Sequence, residues 1–138
     1  MVRGRRIAFD YGDSRIGVAV CDPDGILATP LPFLDARHPK LMSNIRALLD
    51  EYEPIMIFIG EPMLLSGQAG TAVEKAREFS EILQRNFHIP IKFIDERLST
   101  VDAARKLRDG GKSARESKGL IDSMAAVSIL ESGLASEI

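Results

Sequence analysis

Three stretches of the chain place carboxylates where a folded protein has little structural use for them. Asp10 closes an apolar run in IAFDYGDSRIGVAV, Asp95 and Glu96 close another in IKFIDERLST, and Asp122 falls within the apolar-rich KGLIDSMAAVSIL. A carboxylate at the end of a buried strand loses hydration, and several brought together without matching cations repel one another. A divalent cation resolves both penalties. Oxygen donors without histidine or cysteine beside them favour Mg²⁺ or Mn²⁺ over zinc. Two such ions held about 4 Å apart can clamp the attacking water and the leaving oxygen of a phosphodiester. Each acid alone also has a plain structural reading. Asp10 could accept from the amides of Gly12 or Asp13, Glu96 could pair with Arg97 or Arg105, and Asp122 could pair with Lys118 one helical turn back. It is the combination that favours a metal.

The elements that must position these acids follow from hydrophobic periodicity. The pattern predicts strands over 5–11, 16–21, 26–34, 55–60 and 89–94, with Pro30 and Pro32 marking the third as an edge strand. Helices are expected over 39–52, about 67–87, 99–107 and 113–131. The short GDS turn implies that the first two strands form an antiparallel hairpin. The later helix–strand alternation requires parallel crossovers. The expectation is one α/β domain over 1–138: a mixed five-stranded sheet, antiparallel in its first three strands and parallel thereafter, flanked by helices. Hairpin strands followed by parallel units are the arrangement of the ribonuclease H-like fold. Parallel strands would bring Asp10 and Asp95–Glu96 to one carboxyl-terminal sheet edge, where ligand crevices form. On its helix Asp122 has Lys118, Gly119, Ala125, Ala126 and Ile129 as neighbours. That face would pack on the sheet and let Asp122 emerge at its border.

Composition narrows the class. The chain has 138 residues, 45% apolar and 28% charged, as expected of one globular domain. The lone Cys21 can form no intramolecular disulfide or cysteine-based metal site. No apolar run follows MVRGRR or reaches membrane-spanning length, which predicts a cytoplasmic protein without a membrane partner. A net charge of −2 argues against coating nucleic acid by bulk electrostatics. Its distribution is uneven, however: three basic residues stand against seven acidic ones over 43–81, and seven basic against three acidic over 97–118. The basic segment suits a local anionic partner. His38 and His88 read as surface residues. Asp10, Gly12 and Gly17 would also suit the first phosphate loop of an actin-like ATPase, but such enzymes need two related domains. No GxSxG, Walker A or dinucleotide fingerprint is present.

The segments FDYGDSRIGVAV, DERLSTVDAA and KGLIDSMAAVSILES together resemble the YqgF/RuvX family of Holliday-junction-resolvase-like nucleases over 7–134. The resemblance implies a ribonuclease H-like fold and a hydrolase using Mg²⁺ or Mn²⁺, with two ions. It implies action in 5′ maturation of pre-16S ribosomal RNA and, by analogy, on branched DNA. Implied partners are structured RNA and ribosomal precursor particles, with the protein a monomer or homodimer. By the same resemblance Asp10, Glu96 and Asp122 are the catalytic acids, with Asp95 a further metal ligand. Arg15, Arg97 and Lys118 then contact substrate. The family usually reads Gly-Leu-Pro after the fourth strand, whereas this chain has Gly60-Glu61-Pro62. Glu61 is therefore a candidate fourth acid, with a solvated loop glutamate as its plain reading. The competing function is a non-catalytic module of the same fold that binds RNA or ribosomal particles through its basic face.

Overall fold

The computed structural model describes residues 2–62, 70–96 and 114–137, without the side chains of 114–122. Its elements run β1 (Arg6–Tyr11), β2 (Arg15–Cys21), β3 (Ala28–Asp35), α1 (Leu41–Tyr52), β4 (Met56–Glu61), α2 (Thr71–Asn86), β5 (Ile91–Asp95) and α3 (Ala114–Ala135). The five strands form one sheet in the order β3-β2-β1-β4-β5. β1, β2 and β3 pair antiparallel, and β4 and β5 add in parallel beside β1. This is the mixed sheet that the hydrophobic pattern predicts. The helix expected over 99–107 lies outside the described residues.

Three helix boundaries differ from expectation. α2 starts at Thr71 rather than near 67, because Gly70 is extended ahead of it. α1 starts at Leu41 rather than Pro39 because local turns hold the preceding chain. The His38 amide donates to the Asp35 carbonyl at 3.1 Å, and the Leu41 amide donates to the His38 carbonyl at 3.1 Å. α1 ends where Glu53 takes a left-handed conformation (φ 47°) and its amide donates to the Leu49 carbonyl, with Pro54 blocking continuation. α3 continues past 131 to Ala135, because Leu134 still finds apolar surface to cover.

Period-two alternation gives the sheet two buried faces. Ile7, Phe9, Ile16, Val18, Ile57 and Ile59 pack against Ile45 and Leu49 of α1 and Ala76, Phe79 and Leu83 of α2. Ala8, Ala19, Cys21, Phe58 and Ile94 pack against Ala126, Val127, Ile129, Leu130 and Leu134 of α3. α3 approaches so closely that a Cβ on Gly133 would lie 2.6 Å from the Phe58 ring. It is tied to the sheet at its middle and its carboxyl end. The Ser123 hydroxyl donates to the Leu31 carbonyl. At the carboxyl end Lys92 donates to Ser136 Oγ at 2.8 Å, and Glu137 pairs at 3.1 Å with the buried Arg6. α3 is thereby held across the sheet from β3 to the starts of β1 and β5. Among the described residues no helix is long and apolar enough to cross a membrane.

Candidate active site at the carboxyl edge of the sheet

Because β1, β4 and β5 are parallel, their acidic ends arrive together: Asp10, Glu61 and Asp95 all fall at one sheet edge. Strand alternation then sorts the acids by face. Asp10 follows Ala8 and so turns toward α3, whereas Glu61 and Asp95, paired in register, follow Ile59 and Phe93 toward α2. The Glu96 amide donates to the Glu61 carbonyl at 3.1 Å, which carries the pleat one residue past β5 and turns Glu96 to the α3 side. Of the adjacent pair, Glu96 therefore meets Asp10, and their side chains are hydrogen-bonded to each other. Asp95 lies on the other face, and its charge adds to the negative field on Glu96. Glu61 is not brought to the pair either, and accepts from Arg77 of α2 at 3.2 Å and 3.3 Å.

A residue that the hydrophobic pattern does not single out makes this meeting possible. A Cβ on Gly60 would lie 2.5 Å from Glu96 Cδ and 2.6 Å from Ile129 Cδ1. The Glu96 side chain thus crosses the space that any other residue at 60 would fill. The available signal was a glycine closing the otherwise apolar run IMIFIG, since strand glycines mark close approaches.

Burial and the adjacent Asp10 push the Glu96 carboxyl up to about 9, with the hydrogen bond to Asp10 and the charge of Asp95 adding to the effect. Burial and the neighbouring charge thus keep a proton on the pair, since the two carboxyl groups cannot readily ionise side by side. The donor set is oxygen only, as hard divalent ions require, and the Gly60 gap leaves the Glu96 carboxylate against Asp10. Asp10 and Glu96 fit such an ion. Among the described residues no group of three histidine, cysteine or carboxylate side chains is placed to hold a metal. Asp122 and Lys118 lie one turn apart on α3, and their side chains fall outside the described residues, as does Arg97.

The shifted carboxyl gives a pH signature. Its folded pKa stands above its ordinary 4.5, so between about 4.5 and 9 the native state keeps a proton that the unfolded chain has lost. This contribution is complete below 4.5 and disappears as pH rises toward 9. In chelator, the melting temperature should fall by several degrees across that window. Glu96→Gln, which cannot ionise, should flatten the decline in a calorimetric pH series. A melting temperature that climbs with pH, unaltered by Glu96→Gln, would contradict the assignment.

On the opposite side of the hairpin a cleft of about 280 Å³ is lined by Tyr11, Gly12, Asp13, Thr71, Ala72 and Lys75. Lys75 donates to Asp13 at 2.9 Å. Tyr11 stacks with Phe79 in the α2 layer, so this cleft lies away from the face occupied by Asp10 and Glu96. Gly12 is needed for the tight turn itself, since a Cβ there would lie 2.7 Å from the Arg15 carbonyl. Arg15 begins β2 and places its guanidinium over the Phe33 ring, 4.9 Å from the centroid.

The chain is similar to known proteins in both sequence and fold. A family model described as "RuvX: Holliday junction resolvase" matches residues 4–136. A Streptomyces coelicolor protein named "Putative pre-16S rRNA nuclease" is 45% identical over 139 residues, covering 99% of this chain and 83% of the relative. A Rhodococcus erythropolis protein of the same name is 47% identical over 138 residues, covering 96% and 78%. Among solved structures, "T. thermophilus RuvC in complex with Holliday junction substrate" superposes with a TM-score of 0.59 at 15% identity, covering 96% of this chain and 95% of that one. At that identity the likeness speaks to fold alone, and the fold is ribonuclease H-like.

Proposed function

The chain belongs to the RuvX family, and from that premise we propose that it is a divalent-cation-dependent endonuclease cutting phosphodiester bonds in structured RNA. The name of its relatives points to precursor 16S ribosomal RNA as the substrate. Branched DNA is a second substrate class, suggested by the family description and by the Holliday junction substrate bound to the superposed RuvC. The carrying observation is the hydrogen-bonded Asp10–Glu96 pair at the carboxyl edge, a buried negative site suited to a cation.

In this reading Asp10 and Glu96 hold Mg²⁺ or Mn²⁺, with Asp122 of α3 as the third acid. One or two ions, when bound, would supply Lewis-acid polarisation of the phosphoryl group and a more acidic attacking water. The protein's own part is to orient the two carboxyl groups and to hold a proton on Glu96 in the metal-free state. Arg15, Arg97 and Lys118 are the proposed substrate contacts, of which guanidinium groups can grip phosphate through two N–H donors. Glu61 and Asp95 belong to the supporting shell: Glu61 braces α2 through Arg77, and Asp95 raises the local negative potential. Action on precursor ribosomal RNA would place the protein in the cytoplasm.

The test is cleavage of a structured precursor-RNA fragment by chelator-stripped protein. Added Mg²⁺ or Mn²⁺ should restore cutting, and renewed chelation should stop it. Binding without cutting under every metal condition would instead favour the non-catalytic module.

A further inference from the structure

Phe33 is 39% exposed, an aromatic ring left in water on an edge strand. The β2–β3 register explains how it came to lie there. Ile16 pairs with Leu34 and Val18 with Leu31, so Pro32 and Phe33 together oppose the single residue Gly17. Such a bulge re-aims a side chain. Leu31 and Leu34 both pack toward the α1 and α2 layer, and Phe33 is released from that core to meet the Arg15 guanidinium. Arg15 shares strand parity with Gly17, Ala19 and Cys21, the α3 side of the sheet. Gly17 is the register partner of Asp10. The ring–guanidinium pair therefore stands on the same face as the Asp10–Glu96 site. β3 is two strands from β1, so the offset from Asp10 is roughly 10 Å.

An exposed aromatic ring carrying a guanidinium is a surface on which unstacked bases bind. A ring serving the fold alone would be expected to enter one of the two cores, and Phe33 belongs to neither. We propose that Phe33, with Arg15 stacked on it, is a nucleobase platform that holds an unpaired base of the substrate beside the scissile phosphate. The platform selects strands with unstacked nucleotides near the cut over continuous duplex. It rests on the nuclease reading for the identity of the strand, but its binding is measured without cleavage.

The chain contains no tryptophan, so Phe33→Trp in an Asp10→Asn background provides a single fluorescent reporter at the platform. The probes are a short oligouridylate and an abasic strand of equal length and charge. Oligouridylate should quench the indole emission, and the abasic strand should not, even at saturation. Phe33→Ala should weaken oligouridylate binding about tenfold and leave abasic-strand binding unchanged. Equal affinity of Phe33→Ala and its parent for oligouridylate, with unchanged emission from Phe33→Trp, would overturn the platform. So would an equal loss on both strands. Metal-dependent cutting by the otherwise wild-type chain is scored separately. Cutting with no base-dependent effect at Phe33 removes the platform and keeps the nuclease; base-dependent binding without cutting does the reverse.

Discussion

Asp10→Asn is expected to lower the cleavage rate by about a thousandfold or more, roughly 4 kcal/mol of transition-state stabilisation. The chain should nevertheless fold and, in chelator, melt at a higher temperature than its parent. The two effects have opposite signs for one reason. Asp10 and Glu96 are held together where burial and mutual charge disfavour ionisation. An asparagine keeps the size and a hydrogen-bonding group but removes the negative charge that, with burial, forces a proton onto Glu96, which relieves the metal-free protein and weakens the cation site. A purely structural Asp10 would behave differently, since losing it would lower stability together with any activity. Cleavage rates at saturating Mn²⁺ and scanning calorimetry in chelator, run on the same preparations, separate the cases. Cutting at the parental rate would remove Asp10 from the mechanism.

Gly60→Ala should carry the second large effect, a loss of stability of about 1–3 kcal/mol and about a hundredfold loss of cleavage. The added Cβ would stand 2.5 Å from Glu96 Cδ and 2.6 Å from Ile129 Cδ1. Ile129 is fully buried, so its Cδ1 can retreat only by repacking the α3 core. Glu96 must then leave the space beside Asp10, and the pair that holds the cation comes apart. Denaturant melts measure the first loss, and single-turnover cleavage measures the second. Normal cleavage by a destabilised Gly60→Ala protein would show that catalysis does not need Glu96 in this position.

Much of this site is legible in the chain itself, because strand endings and crossovers are written in hydrophobic period. Asp10 and the Asp95–Glu96 pair each close an apolar run, and the intervening helices require parallel strands, so convergence at one edge follows from topology. The choice between Asp95 and Glu96 does not. Neighbouring strand residues point to opposite faces, and a one-residue uncertainty in the end of β5 exchanges them. Only the ladder bond from the Glu96 amide to the Glu61 carbonyl fixes the parity. Glu61 resembles a fourth acid because it ends β4, but its carboxylate meets Arg77 across the gap between strand and helix. That pairing depends on how α2 docks, which local sequence does not encode. Phe33 is hidden for a related reason. Its segment reads as an edge strand interrupted by prolines, and the bulge that turns the ring outward emerges only in the pairing with β2.

Asp10 and Glu96 are proposed as a divalent-cation site that would give up its proton on binding the cation. Calorimetric titration of Mn²⁺ into chelator-stripped protein at neutral pH, repeated in buffers of different ionisation heat, tests it most directly. The wild-type chain should bind Mn²⁺ with release of about one proton per site, and Asp10→Asn should show no binding over the same range. Identical isotherms for the two proteins, or wild-type binding without proton release, would contradict it.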